Sequence, residues 1–177
     1  DEPDGLPSVT IVVPTRDHFD LLKPCISSIL EKTDYPRSRF EIVVVDNGSV
    51  QEALLEYLTR LSMERVIRVI RDPGEFNYSR LNNLAVAASR GDLLVFLNND
   101  VVITNPSWLR RLGYHAIKPG VGAVGGKLLY PDMTVQHGGV VLGINGVAAH
   151  VHVNLKESDL GYRGSANATQ AIAAVTA

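Results

Sequence analysis

The chain has 177 residues, 45% of them hydrophobic and 20% charged, a balance that fills one globular core and excludes intrinsic disorder. Seventeen basic against nineteen acidic residues give a net charge of -2 with no basic block, so the electrostatic footprint of a nucleic-acid binder is absent, and no apolar run approaches the length of a membrane span. The single cysteine, Cys25, allows neither an internal disulfide nor a cysteine-based zinc site, and the acidic opening DEPDGLP lacks the parts of a signal peptide, so a reducing, cytoplasmic setting is expected.

Val9 to Pro14 (VTIVVP) is a β-branched run of the kind found in a strand covered on both faces, and Phe40 to Asp46 (FEIVVVD) repeats it. Between them, Leu21, Leu22, Cys25, Ile26, Ile29 and Leu30 recur at helical spacing over Phe19 to Glu31, with Pro24 tolerable only in the first turn. A second helix is predicted over Gln51 to Met63, a third strand over Val66 to Ile70, a third helix over Tyr78 to Ala88 and a fourth strand over Leu93 to Leu97. Alternating strands and helices with short connections predict a doubly wound α/β fold: a mostly parallel sheet with helices on both faces, in a single domain.

Beyond Asp100, Asn105 or Ser107 is placed to cap a helix running through Trp108 to His115. Eight glycines between Gly120 and Gly146 then favour tight turns and short strands over helix. The closing QAIAAVTA reads as an element cut off in the middle, so the chain is expected to be a fragment of a longer protein, truncated at its C-terminus. Trp108 and Cys25 both fall on apolar helix faces and are expected in the core.

Ligands of open parallel sheets bind beyond the carboxyl ends of the strands, and those ends are polar here: Pro14-Thr15-Arg16-Asp17, Asp46-Asn47-Gly48-Ser49, Arg71-Asp72 and Asn98-Asn99-Asp100. PTRDHF lacks the glycine fingerprint of a dinucleotide site, Gly126-Lys127 is no phosphate-binding loop, and no serine sits in a nucleophile elbow. What remains is a nucleotide site without a glycine-rich loop. A carboxylate ends the second strand, and Asp100 stands where an oxygen ligand could hold magnesium or manganese.

TIVVPTRD, EIVVVDNGS, FNYSRLNNLAVAASRGDLLVFLNNDVVITNPSWL and GGKLLYPDMTVQHGGVVLG, in this order and spacing, resemble family 2 glycosyltransferases of the GT-A fold, from about Pro7 to His152. The resemblance implies an inverting transferase that uses a nucleotide-diphosphate sugar and a divalent metal, Mn2+ or Mg2+, with UDP the expected nucleotide. It implies that Pro14, Thr15 and Arg16 line the nucleotide pocket and that Asp46 meets the base or ribose. Asn98-Asn99-Asp100 occupies the family's Asp-x-Asp position, with Asp100 as the metal ligand and Asn98 a weaker, uncharged substitute for the first acid. The stretch Phe76 to Asn83 matches one that closes over the donor, with Arg80 or Arg71 offsetting phosphate charge.

In the family a carboxylate deprotonates the acceptor hydroxyl, and it lies downstream of the part matched by QAIAAVTA, so no catalytic base is assigned. Asp132 in Tyr130-Pro131-Asp132 reads as a turn residue. Gln136 to Gly139 resembles a segment near the acceptor side. The implied partners are the donor and a saccharide or lipid-linked acceptor of cell-surface polysaccharide synthesis, with membrane association through other parts of a parent chain and no nucleic acid. His137, His150 and His152 raise a histidine metal site as an alternative role, since His150 and His152 would share one side of a strand carrying both. Lys156 to Asp159 reads as an exposed loop. Two rival functions compete: a nucleotidyltransferase, which would be expected to carry a basic, glycine-rich loop in place of PTRDHFD, and a binding module without catalysis, hinted at by Asn98.

Overall fold

The computed structural model of the chain describes residues 5–143 and 147–176, so most of the acidic opening, Gly146 and the last residue of the QAIAAVTA tail lie outside the described residues. Two compact units meet in the sequence between Tyr114 and His115.

The first unit is built on four parallel strands, β1 (Val9–Thr15), β2 (Phe40–Asp46), β3 (Arg68–Arg71) and β4 (Leu93–Phe96), in the order β3-β2-β1-β4. The continuous apolar runs of β1 and β2 reflect their central place, because both faces of each strand are covered. On one face Ile11, Val13, Ile42 and Val44 pack with Leu22, Cys25, Ile26 and Ile29 of α1 (Phe19–Lys32) and with Leu54, Leu58 and Leu61 of α2 (Glu52–Met63). Leu109, from α4 (Trp108–Ala116), joins the same core. On the other face Val12, Val43 and Val45 meet Leu81 and Ala85 of α3 (Tyr78–Ala88). Helices therefore cover both faces of the sheet, as the strand and helix alternation predicts. α3 packs over β1 and β2, and the alternate residues of the edge strand β4, Leu94 and Phe96, remain 38% exposed.

Three local predictions need correction. Pro24 lies inside α1 beyond its first turn. It is tolerated because it and Asp20, whose carbonyl loses its helical donor, both face solvent. β3 begins at Arg68 rather than Val66, because the backbone N–H groups of Val66 and Ile67 fold back on the Leu61 carbonyl after Arg65 turns left-handed at φ 57°. The third concerns the histidines and is given below. Cys25 is buried as expected, and Trp108 packs against the core with its indole N–H donating to Thr33 Oγ1 at 3.0 Å.

The second unit holds two antiparallel pairs, β5 (Leu128–Leu129) with β6 (Val135–His137) and β7 (Val140–Leu142) with β8 (Ala148–His150). Asp132 caps the turn between β5 and β6, accepting from the Thr134 N–H at 3.0 Å and its hydroxyl at 2.7 Å, which is the turn role read from Pro-Asp. Among the described residues no helix is long and apolar enough to cross a membrane.

Candidate functional site

Because all four strands of the first unit are parallel, their carboxyl ends share one rim. The chain order reverses between β1 and β4, and a crevice opens at that reversal. A cleft of about 280 Å³ lies there, lined by Pro14, Thr15 and Arg16 after β1 and by Asn98, Asn99 and Asp100 after β4. His18, Asn47, Phe76, Tyr78 and Leu81 complete it. Six of the nine residues expected at the site thus line one cleft, while Asp46, Arg71 and Arg80 stand outside its lining. A larger groove of about 650 Å³ follows α2 between Val50 and Glu64, but it is open to solvent and is lined by residues of that one helix and its flanks rather than by converging strand ends.

The loops that build the cleft are tied to one another. Thr15 is buried, accepting from Asn99 Nδ2 at 2.9 Å through its hydroxyl and from the Asn47 N–H at 2.8 Å through its carbonyl. The next turn is strained, with Asp17 and His18 both left-handed at φ 53° and 56°. Asp17 holds it to the loop after β2. Its Oδ1 accepts from the Val50 and Gln51 N–H groups at 2.8 and 2.9 Å, and its own N–H donates to Ser49 Oγ at 2.7 Å. The backbone donors of Gln51 and Val50 hold the Asp17 carboxyl below the usual carboxylate range.

The charged groups differ in what engages them. Asp46 is buried, its Oδ1 accepting from the Ser49 N–H at 2.9 Å and its Oδ2 lying 3.3 Å from Arg71, which also donates to the Ser49 carbonyl. Arg80 donates to Asp72 Oδ1 at 3.0 Å and to the Glu75 carbonyl at 2.8 Å, and its Nη2 sits 2.9 Å from Asp72 Oδ2 outside hydrogen-bonding geometry. Asp100 is exposed, and among the described residues its carboxylate makes no hydrogen bond or salt bridge. The Asn98 carbonyl accepts the Cys25 thiol at 3.7 Å, which ties the Asn98 to Asp100 turn to α1. Burial, with the Asp100 charge second, pushes the Cys25 thiol up to about 12.

Asn47 is the residue that reading the sequence as a turn overlooks. It is 1% exposed, and its Nδ2 donates to the carbonyls of Asp72 and Gly74, both at 2.9 Å. Two acceptors on the nitrogen fix the orientation of the amide, and Oδ1 is left buried without a donor.

A divalent cation suits this donor set in a limited way. Asp100 offers an unengaged carboxylate with the amides of Asn98 and Asn99 beside it, and magnesium-like ions are commonly held by one or two carboxylates together with substrate phosphates. Among the described residues no group of three or more His, Cys, Asp or Glu is placed to hold a metal, in the second unit included. There β8 ends at His150 and His152 is left-handed at φ 64°, so the two do not share a strand face. His150 instead meets the buried His137, with their Nδ1 atoms 2.6 Å apart.

The model of a family described as Glycosyl transferase family 2 matches residues 10–161. The chain is 46% identical over 175 residues to the "Uncharacterized protein y4gI" of Sinorhizobium fredii, an alignment covering 98% of this chain and 19% of that one. It is 42% identical over 156 residues to the O-antigen biosynthesis protein RfbC of Myxococcus xanthus, covering 88% of this chain and 12% of that protein. The chain therefore spans a fifth or less of the length of these relatives. Among solved structures, the mannosyltransferase PcManGT from Pyrobaculum calidifontis, in complex with GDP-Man and Mn2+, superposes with a TM-score of 0.64 at 23% identity, over 73% of this chain and 38% of that one, a likeness of fold.

Proposed function

The chain belongs to glycosyl transferase family 2, and on that footing we propose that the strand-end cleft binds a nucleotide-diphosphate sugar, UDP being the expected nucleotide, together with Mn2+ or Mg2+. The sugar passes with inversion to a saccharide or lipid-linked acceptor in cell-surface polysaccharide synthesis. O-antigen synthesis in the name of a relative supports that class of product, and the GDP-Man and Mn2+ of a structural neighbour support the class of donor and metal. The reading places the domain in the cytoplasm, with membrane contact supplied by other parts of a longer protein.

The observation that carries this reading is the convergence of three complementary groups on one cleft at the point where the strand order reverses. Asp100 is the carboxylate left for a cation, with Asn98 as a neutral second ligand. A bound divalent ion would neutralise charge on the departing diphosphate. Arg16 is a guanidinium on the cleft wall engaged by no hydrogen bond or salt bridge among the described residues, whereas Arg71 and Arg80 are held by Asp46 and Asp72. It is the cation best placed to meet phosphate oxygens.

On this reading the donor's base supplies the hydrogen bond that Asn47 Oδ1 lacks, the amide being held in orientation by its bonds to Asp72 and Gly74. Uracil, thymine and guanine present a ring N–H that meets this demand. At the same ring position cytosine and adenine present a bare nitrogen, their donors being the exocyclic amines displaced to one side of it. Calorimetric titration in the presence of Mn2+ is expected to show UDP, and less strictly dTDP and GDP, binding at least about tenfold tighter than CDP or ADP, the worth of one buried acceptor left without its donor. Equal affinity for all five would remove the assignment of Asn47, and no binding by any would remove the donor site.

A further inference from the structure

We propose that Phe76 is the face on which the donor's nucleobase stacks, presented by a loop that Asn47 and Arg80 hold in place. The proposal rests on the donor reading above and adds to it the contact that grips the base.

The loop between β3 and α3, residues 72–77, is fastened along its length. Asn47 Nδ2 holds the carbonyls of Asp72 and Gly74. Arg80 reaches back from α3 to the Asp72 carboxylate and the Glu75 carbonyl. Asn77 caps α3 by accepting from the Arg80 N–H at 3.0 Å. The packing is close as well. A Cβ on Gly48 would stand 3.1 Å from Pro73 Cα, and one on Gly74 would stand 2.5 Å from Arg80 Nη2.

What this fastening holds out is an aromatic ring. Phe76 is 66% exposed, and among the described residues it has no aromatic partner. An isolated exposed apolar side chain on a loose loop needs no explanation, but here several hydrogen bonds order the backbone around a ring that contributes nothing to either core. Phe76 lines a cleft whose other groups are mostly polar: Thr15, Arg16, His18, Asn47, Asn98 and Asp100. A phosphate or a metal gains nothing from such a face. A planar base does, because stacking on an aromatic ring is favourable for any base and leaves the base edge free for hydrogen bonding.

The division of labour follows from Asn47. Its nitrogen holds the loop that carries Phe76, while its oxygen is left buried without a donor in a residue that lines the same cleft. Face and edge of the base are thus met by one connected piece of structure. Arg80, which with Arg71 the resemblance offers to phosphate charge, is bonded to the Asp72 carboxylate and the Glu75 carbonyl and so positions this loop.

The test is titration of the 177-residue chain with UDP and Mn2+, with inorganic pyrophosphate as a ligand that carries the phosphates without the base. Phe76→Ala is expected to weaken UDP about tenfold, within the range that loss of one aromatic stacking contact produces, and to leave pyrophosphate unchanged. Phe76→Trp is expected to keep UDP affinity, and its added indole fluorescence to be quenched by UDP and not by pyrophosphate. The melting midpoint of each variant should match the wild type, since the side chain is exposed. Wild-type affinity for UDP in Phe76→Ala, or equal weakening of UDP and pyrophosphate, overturns the stacking assignment while the donor site stands. A wild-type chain that binds no nucleotide overturns the donor site and this contact with it.

Discussion

At the scale of single residues, the site depends less on which charges are present than on which remain unengaged. Asp46 and Asp100 are both strand-end aspartates, yet Asp46 is buried under Arg71 and the Ser49 N–H while Asp100 is exposed and unpaired. The same contrast separates Arg16 from Arg71 and Arg80. Strand-end position in the sequence finds Arg16, Asp46, Arg71 and Asp100, because parallel strands bring their carboxyl ends together, while Arg80, on α3, is found only through the family resemblance. It does not find the pairing, since Asp46 with Arg71 forms only when two strand ends meet, and Asp72 with Arg80 only when the loop after β3 folds back on α3. Asn47 is missed for a related reason, as Asn-Gly is ordinary turn chemistry and an orphaned oxygen is visible only in three dimensions. Replacing Asn47 by Ala would leave the Asp72 and Gly74 carbonyls without their donor, and urea unfolding should show a loss of about 2 kcal/mol. Asn47→Asp should also destabilise, by setting a carboxylate against the same two carbonyls. A variant as stable as the wild type would contradict the fastening of the 72–77 loop.

At the scale of elements, β1, β2, α2 and α3 fall within one residue of their predicted bounds, because their apolar periodicity is dictated by burial on one or both faces. Boundaries fail where backbone chemistry overrides side-chain pattern, as at β3, whose first predicted residues close the end of α2. The antiparallel pairs of the second unit are shorter and less legible, since two- and three-residue strands carry almost no periodicity. There the buried His137 gives a measurable consequence. Burial, then the neighbouring His150, holds its pKa below the ordinary histidine value of 6.5. The unfolded chain then binds that proton more tightly than the folded one. The stability contributed is full above the ordinary value and is lost as pH falls below it. The melting midpoint should therefore drop between pH 7.5 and 5.5, and His137→Gln should flatten that part of the profile. An unchanged slope in the variant would assign the loss to other groups.

At the scale of the whole molecule, a mostly parallel sheet with helices on both faces is legible from alternation alone, whereas the strand order β3-β2-β1-β4, which determines where a ligand can sit, emerges only in the structure. The identity of the sugar and acceptor is not legible, because no group in the cleft lining singles out a hexose and the chain spans only 19% and 12% of two of the relatives it matches. The central claim is that the cleft holds a nucleotide through a cation on Asp100, and linkage makes this a property of the entire fold. Ligand at a hundred times its dissociation constant adds about 2.7 kcal/mol, which raises the midpoint of a chain this size by about 5 to 10 °C. The most direct measurement is thermal unfolding with UDP, with and without Mn2+, on the wild type and on Asp100→Ala. A rise that requires Mn2+ and disappears in Asp100→Ala is the result predicted. A rise that is equal without Mn2+, or that survives in Asp100→Ala, would contradict the role given to Asp100, and no rise with UDP would contradict the assignment of UDP to the cleft.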